Sequence, residues 1–416
     1  MGAETTATPV SRTPPPTTAV HTAADAARYR AAGWWGTETV GDHVARARAA
    51  NPGGAAFVTA TTRMSWAQYD NAATALAQAL AAAGFARGQH LAVLLPDGPT
   101  AHVAYLAAER AGLVVIGVAA RSGVGEIVHL LRLAEADALL THAALRGVEL
   151  AALLARLRAE GLPSLRSVVV PDLADPAAGG VAAVRIDSGL ARPAPFATTT
   201  APLAGLHPDE IFLLNSTSGT TGLPKCVVHS QQPWLLAGRL AIANGGLTAA
   251  DTILCAVPTP YGFGLWSGHV APALLGIPTV LLERFDVEVM LELIERERVT
   301  MLAAVTTQLA MVLQAAADGG RDLSSLRVVF TGGEAVPPER AAAFERLAGA
   351  KVLQFYGANE TGIVSGTTVA DDDRARLRTA GRLAPGVELR LGDGATATPA
   401  AVRGPGLSGG YHRDPA

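Results

Sequence analysis

The stretch from Leu213 to Ser230 reads "LLNSTSGTTGLPKCVVHS". An apolar run gives way to a loop of serine, threonine and glycine, and Lys225 follows directly after Pro224. The segment Glu210–Asn215 has the composition of a buried strand. Helical spacing resumes near Gln232, so the polar loop is expected between a strand and a helix. Small residues let the backbone come close to an anion, so that successive N–H groups and hydroxyls can wrap phosphate oxygens, and Lys225 adds a mobile positive charge. This is not the Walker A pattern, which needs glycine directly before the lysine and serine or threonine directly after it. Tracts rich in serine and glycine are usually flexible linkers. A linker, however, accounts neither for Pro224-Lys225 nor for the strand before the loop.

Outward from this loop, short apolar runs alternate with alanine-rich helical stretches. On the N-terminal side, "TALAQALAAAG" (Thr74 to Gly84) reads as a helix ending on a glycine cap, "HLAVLLP" (His90 to Pro96) as a buried strand, and "TAHVAYLAAERAG" (Thr100 to Gly112) as a helix with a threonine N-cap. "LVVIGVA", "GEIVHLLRLAEA" and "ALLT" continue as strand, helix and strand. On the C-terminal side, "TILCAVP", "IPTVLLE", "TMLAAV", "LRVVFTGG" and "KVLQFYG" read as strands, with "QPWLLAGRLAIANG", "VEVMLELIERERV" and "PPERAAAFERLAG" as helices. This rhythm predicts an α/β fold of two layered subdomains whose largely parallel sheets are covered by helices. The expected division is a disordered lead over 1–25, subdomain A over 26–190, a proline- and threonine-rich linker over 191–205, subdomain B with the nucleotide site over 206–379, and an incomplete β-subdomain over 380–416.

Composition narrows the function. The 416 residues are 49% hydrophobic and carry a formal net charge of -3, without a lysine/arginine block. Nucleic acid and anionic membrane surfaces are therefore not the expected partners. Two cysteines, Cys226 and Cys255, make neither a disulfide framework nor a zinc pattern, and a reduced cytoplasm is the expected compartment. The N-terminal "MGAETTATPVSRTPPPTTAV" lacks the apolar core of a secretory signal, and no apolar run is long enough to span a bilayer.

"STSGTTGLPK" resembles the phosphate loop of the adenylate-forming superfamily, which includes acyl- and aryl-CoA ligases. Further stretches resemble that family in its order: "PTPYGFG" (Pro258 to Gly264), "FTGGEAVPPE" (Phe330 to Glu339), "QFYGANETG" (Gln354 to Gly362) and "VRGPGLSGGYHRDPA". The resemblance runs from about residue 35 to the end, and "LIERERVTMLAAVTTQLAMVL" draws it toward the acyl- and aryl-CoA ligases. It implies that Thr217, Ser218, Gly219, Thr220, Thr221, Gly222 and Lys225 hold the β- and γ-phosphates of ATP, and that Glu360 ligates Mg2+. It implies an adenine site from Gln354, Phe355, Tyr356 and Gly357, with Tyr356 stacking on the base. Gly332 and Gly333 would allow close approach of the nucleotide. Glu334 sits near adenine or the acid pocket, or faces water. Tyr261, Gly262 and Phe263 would wall the acid pocket, with Trp266 and Thr307 as weaker members. His229 is expected to be structural.

The chain departs from the family's pattern at Cys226, Tyr261, Thr306 and Asn359. Asn359 can still donate a hydrogen bond to a phosphate or carboxylate oxygen, and Cys226 reads better as a structural thiol than as a nucleophile. In the family, a ribose-binding aspartate, a hinge and a C-terminal domain bearing a mobile lysine follow the segment that here closes on "HRDPA". The resemblance thus implies a nucleotide- and acid-binding body with impaired catalysis. The implied activity is ATP-dependent adenylation of a small aromatic or short acyl acid, then transfer to the thiol of coenzyme A or a carrier protein. Adenylation of nitrite by an aryl-amine diazotase and non-catalytic binding are the alternatives.

Overall fold

A computed structural model describes residues 21–142, 144–145, 148–172, 180–185, 194–195, 202–217, 224–316, 320–392 and 400–413. Two sheets organise them. The larger has nine strands in the order Arg382–Leu383, Gly362–Gly366, Lys351–Ala358, Val328–Gly332, Met301–Ala303, Ile253–Cys255, Thr279–Leu281, Ala55–Val58 and Arg63–Ser65. Its central pairings are parallel. The second has eight strands in the order Ala194–Pro195, Gly180–Arg185, Ser167–Asp172, Ala138–Thr141, His90–Leu95, Val114–Ala119, Leu213–Ser216 and Cys226–His229.

Strands such as His90–Leu95 and Val114–Ala119 are buried at every position, because helices cover both faces. One core lies between the sheets and packs helices Val40–Ala50, Trp66–Ala82, Pro99–Ala111 and Gln231–Gly245 against both of them. A second core seals the outer face of the larger sheet under Val287–Arg296, Thr306–Ala315 and Pro338–Ala348. A third seals the outer face of the smaller sheet under Val124–Leu133 and Leu150–Ala159. The result is the expected α/β architecture with helix-covered, largely parallel sheets.

The division of the chain differs from the expected one. Leu213–Ser216 leaves the second half to pair in parallel with Val114–Ala119, Leu213 opposite Val115. In return, Ala55–Val58 pairs in parallel with Thr279–Leu281, Phe57 opposite Thr279. Each sheet thus draws strands from both sides of 191–205, because strand pairing follows hydrogen-bond register rather than proximity along the chain. Most of 191–205 lies outside the described residues, as does 1–20 of the expected lead; helix Ala23–Ala31, capped by Thr22, already occupies the end of that lead. In the C-terminal segment, Glu388–Arg390 and Ala401–Arg403 form a separate antiparallel pair, whereas Arg382–Leu383 joins the larger sheet.

Two local expectations are also corrected. The polar loop is followed not by a helix but by the strand Cys226–His229, which pairs antiparallel with Leu213–Ser216, Ser216 opposite Cys226. The loop is therefore the tip of a hairpin, and helix Gln231–Gly245 starts beyond it. Helix Pro99–Ala111 is capped by Gly98 with Pro99 in its first turn, without a side-chain cap, so Thr100 lies inside it. Among the described residues, no helix is long and apolar enough to cross a membrane.

Candidate nucleotide and acid site

The hairpin neck fixes Lys225. The Thr217 N–H donates to the Lys225 carbonyl at 2.9 Å, and the Lys225 N–H donates to Thr217 Oγ1 at 3.1 Å. His129 Nε2, on the helix beside the hairpin, donates to the Pro224 carbonyl at 2.8 Å. Ser218, Gly219, Thr220, Thr221 and Gly222 lie outside the described residues.

Asn359 and Glu360 sit in the turn between strands Lys351–Ala358 and Gly362–Gly366. Thr361 closes that turn, accepting from the Ala358 N–H at 3.0 Å through its hydroxyl. Gly362 has φ +63, and a Cβ there would stand 2.5 Å from the Gly406 carbonyl oxygen, so both conformation and space require glycine. Asn359 Nδ2 donates to the Ser216 carbonyl at 3.2 Å, and the buried Asn215 Nδ2 donates to Asn359 Oδ1 at 3.4 Å. The residue that departs from the family pattern therefore ties the Glu360 turn to strand Leu213–Ser216, which leads into the polar loop. Glu360 Oε1 accepts from the Tyr411 hydroxyl at 2.8 Å, and Lys225 Nζ lies 4.5 Å from the centroid of the same tyrosine ring.

Strand Lys351–Ala358 separates its side chains by period two. Tyr356 is 57% exposed, a flat aromatic face at the surface. Phe355, expected beside the nucleotide, turns to the other side. Its ring stands edge-on to Phe263 at 4.8 Å and to Trp266 at 5.6 Å. Phe263 stacks on Trp266 at 5.3 Å, and Trp266 meets Phe330 edge-on at 5.6 Å. Gly332 makes room for this aromatic group: a Cβ there would stand 2.6 Å from Phe355 Cζ. Gln354, also expected at the nucleotide, donates through Nε2 to the Arg376 carbonyl at 2.8 Å, a tie within the fold. Gly357 lets the strands cross closely, since a Cβ would stand 2.1 Å from the Gly362 carbonyl oxygen.

Gly333 has φ +87 with open space around it, and Glu334 is exposed. Tyr261 is half-buried at the start of the short helix Gly262–Leu265, and burial raises its phenol above the ordinary range. Trp266 opens the π-helical turn Trp266–Val270 and buries its indole Nε1, which finds no hydrogen-bond partner among the described residues. A Cβ on Gly262 would stand 2.8 Å both from Asn359 Oδ1 and from the Trp234 ring. Thr307, expected in the pocket, is exposed, whereas Thr306 is buried.

Trp234, Phe330, Asp97 and Tyr411 were not singled out by sequence reasoning. Asp97 accepts from the Thr259 N–H at 2.6 Å and so anchors the segment that carries Tyr261; burial pushes its carboxyl up to about 6. Tyr411 lay inside a recognised glycine-rich stretch, but nothing in the spacing tied it to Glu360. Cys226 is fully buried and its thiol is pushed up to about 12 by that burial, so it stays protonated. His229 is buried, and loss of solvation lowers it to about 3, leaving a neutral ring against Trp234 at 4.8 Å.

The donor set fits Mg2+. Among the described residues there is no cluster of three or more His, Cys, Asp or Glu that would cage a metal. A single carboxylate, Glu360, that shares Tyr411 with a lysine ammonium suits a hard cation that completes its shell with oxygens of a bound ligand and water.

The sequence profile described as AMP-binding enzyme matches residues 44–412, and the chain belongs to that family of adenylate-forming enzymes. It is 28% identical over 397 residues to a medium-chain fatty-acid–CoA ligase of Escherichia coli (strain K12), covering 94% of this chain and 69% of that protein. It is 30% identical to a salicylyl-CoA synthase / salicylate adenylyltransferase of Streptomyces sp, covering 93% of this chain and 71% of that protein. The apo structure of Mycobacterium smegmatis MbtA superposes with a TM-score of 0.78 at 25% identity, over 94% of this chain and 72% of that one.

Proposed function

We propose that this protein uses ATP to adenylate a small aromatic or short acyl carboxylic acid and that the acyl group then passes to the thiol of coenzyme A or a carrier protein. The observation that carries this reading is the Asn359 bridge. It joins the base of the phosphate loop to the Glu360 turn and packs against Gly262, the residue before Phe263 of the aromatic group. The names of the curated relatives, CoA ligases and an adenylyltransferase, support the same class.

A carboxylate is a poor electrophile. When its oxygen attacks the α-phosphorus, the bond to the bridging oxygen breaks and pyrophosphate leaves with the electron pair. The mixed anhydride then loses AMP as a thiolate sulfur attacks its carbonyl carbon. Negative charge grows on the phosphates in the first step, so positioning and electrostatics dominate. Lys225 holds and neutralises phosphate oxygens, and Asn359 keeps the loop base and the Glu360 turn in register. Tyr356 offers its exposed face to adenine, and the open space at Gly333 lets the nucleotide run close to the backbone, while Gly332 seats the Phe355 ring. Glu360 would hold Mg2+, which would supply further charge neutralisation at the phosphates. The aromatic lining favours a flat, apolar acid.

The test is competition binding with non-hydrolysable acyl-sulfamoyl adenosines, together with acid-dependent pyrophosphate exchange using aryl acids, short acyl acids and nitrite. Aryl-sulfamoyl adenosine binding well above adenosine alone is expected. Absence of binding to ATP, AMP and every analogue would remove the proposal, and exchange driven by nitrite alone would move it to another oxyanion.

A further inference from the structure

Tyr411 touches both charged groups of the candidate site. Its hydroxyl donates to Glu360 Oε1 at 2.8 Å, and its ring lies 4.5 Å beneath the Lys225 ammonium. Its position is set by backbone. Tyr411 pairs antiparallel with Val227, two residues beyond Lys225. The Val228 N–H donates to the Gly410 carbonyl at 2.9 Å, the Gly409 N–H to the Val228 carbonyl at 2.8 Å, and the His412 N–H to the Cys226 carbonyl at 2.7 Å. The Ser408 N–H donates to the carbonyl of Glu360 itself at 2.9 Å. The segment 408–412 is thus a strap of backbone hydrogen bonds laid along the hairpin, stitched to the Glu360 turn at its other end.

Resting on the adenylation reading, we propose that Tyr411 is a positioning residue for the Mg2+-dependent binding of ATP. Its hydroxyl commits one carboxylate oxygen of Glu360 and so turns the other toward the metal. Its ring holds the Lys225 ammonium at the phosphate end of the same side chain. A hydrogen bond on one oxygen of a ligating carboxylate fixes its orientation, and losing such an outer partner typically weakens metal binding by about 10–100-fold. The aromatic face attracts the ammonium through the ring quadrupole, a hold that phenylalanine keeps and leucine does not. The two contacts can therefore be removed one at a time.

Tyr411→Phe removes the hydroxyl and keeps the ring; Tyr411→Leu removes both. ATP binding is measured by calorimetry in EDTA and across a Mg2+ titration, with circular dichroism as a folding check. In Tyr411→Phe the Mg2+ concentration for half-maximal enhancement of ATP binding should rise by about 10–100-fold, with affinity in EDTA within about twofold of wild type. In Tyr411→Leu the affinity in EDTA should fall as well. In a Glu360→Gln background, Tyr411→Phe should add nothing to the Mg2+ dependence, since the two act through one contact. Wild type binding ATP with a Mg2+ dependence that Tyr411→Phe leaves unchanged would overturn this inference and spare the functional reading. Wild type that binds no ATP would overturn both.

Discussion

Replacing Gly332 with alanine tests whether the Phe355 ring packed over this glycine lines the acid pocket. The added Cβ would meet three atoms of the Phe355 ring, at 2.6, 2.8 and 2.8 Å. Ordinary carbon contacts lie at about 3.5–4.0 Å, so the ring must retreat by roughly 1 Å. Retreat is obstructed, because Phe263 stands edge-on to it at 4.8 Å and Trp266 at 5.6 Å. Overpacking of this kind costs about 1–3 kcal/mol. The cost should appear twice: as lower stability in a urea unfolding curve and as weaker binding of an aryl-sulfamoyl adenosine in competition with labelled AMP. AMP itself should bind nearly as before, since the added Cβ meets Phe355 and leaves the exposed Tyr356 face untouched. Gly332→Ala combined with Phe355→Leu removes the obstructing ring edge and should recover most of the lost stability. Unaltered aryl-adenylate affinity in a Gly332→Ala protein of measurably lower stability would refute the placement of the acid beside Phe355. Unaltered stability would refute the packing argument itself.

Other outcomes follow from single residues. Lys225→Ala should weaken ATP more than AMP, because the lysine is assigned to the β- and γ-phosphates; equal weakening of both in calorimetry would argue against that assignment. Asp97 has its carboxyl raised by burial to about 6, so the folded protein holds this proton more tightly than the unfolded chain does. Its contribution to stability is full below the unfolded value and is lost as pH rises through about 6, so Asp97→Asn should gain stability relative to wild type between pH 4 and 7, by on the order of 3 kcal/mol. Identical pH–stability curves for the two would contradict it. Cys226, buried with its thiol pushed up to about 12, should resist iodoacetamide in the native protein at pH 8 and react on unfolding, as read by intact mass.

Local pattern made much of this protein legible. The apolar run, the small-residue loop and Pro224-Lys225 marked a candidate phosphate site before any geometry, because an anion cradle needs small residues and a cation at short range in the chain. Strand and helix alternation gave the α/β class, because each element's burial is written in its own period. What the sequence could not specify was pairing over long separations. "CVVH" is too short to show a period, and only its hydrogen bonds to Leu213–Ser216 make it a strand. The exchange of Ala55–Val58 and Leu213–Ser216 between the two halves depends on which sheet edge each strand completes, and apolar strands look alike in sequence. The resemblance placed Phe355 and Tyr356 together at the adenine; strand alternation separates them, and Phe263 and Trp266, arriving from elsewhere in the chain, pack Phe355 on the other face. Tyr411 shows the limit most sharply. It reaches Glu360 from 51 residues away, and it does so because a strap of backbone hydrogen bonds lays residues 408–412 along the phosphate-loop hairpin. Short-range chemistry is encoded residue by residue; contacts closed by the whole sheet exist only once the sheet has formed.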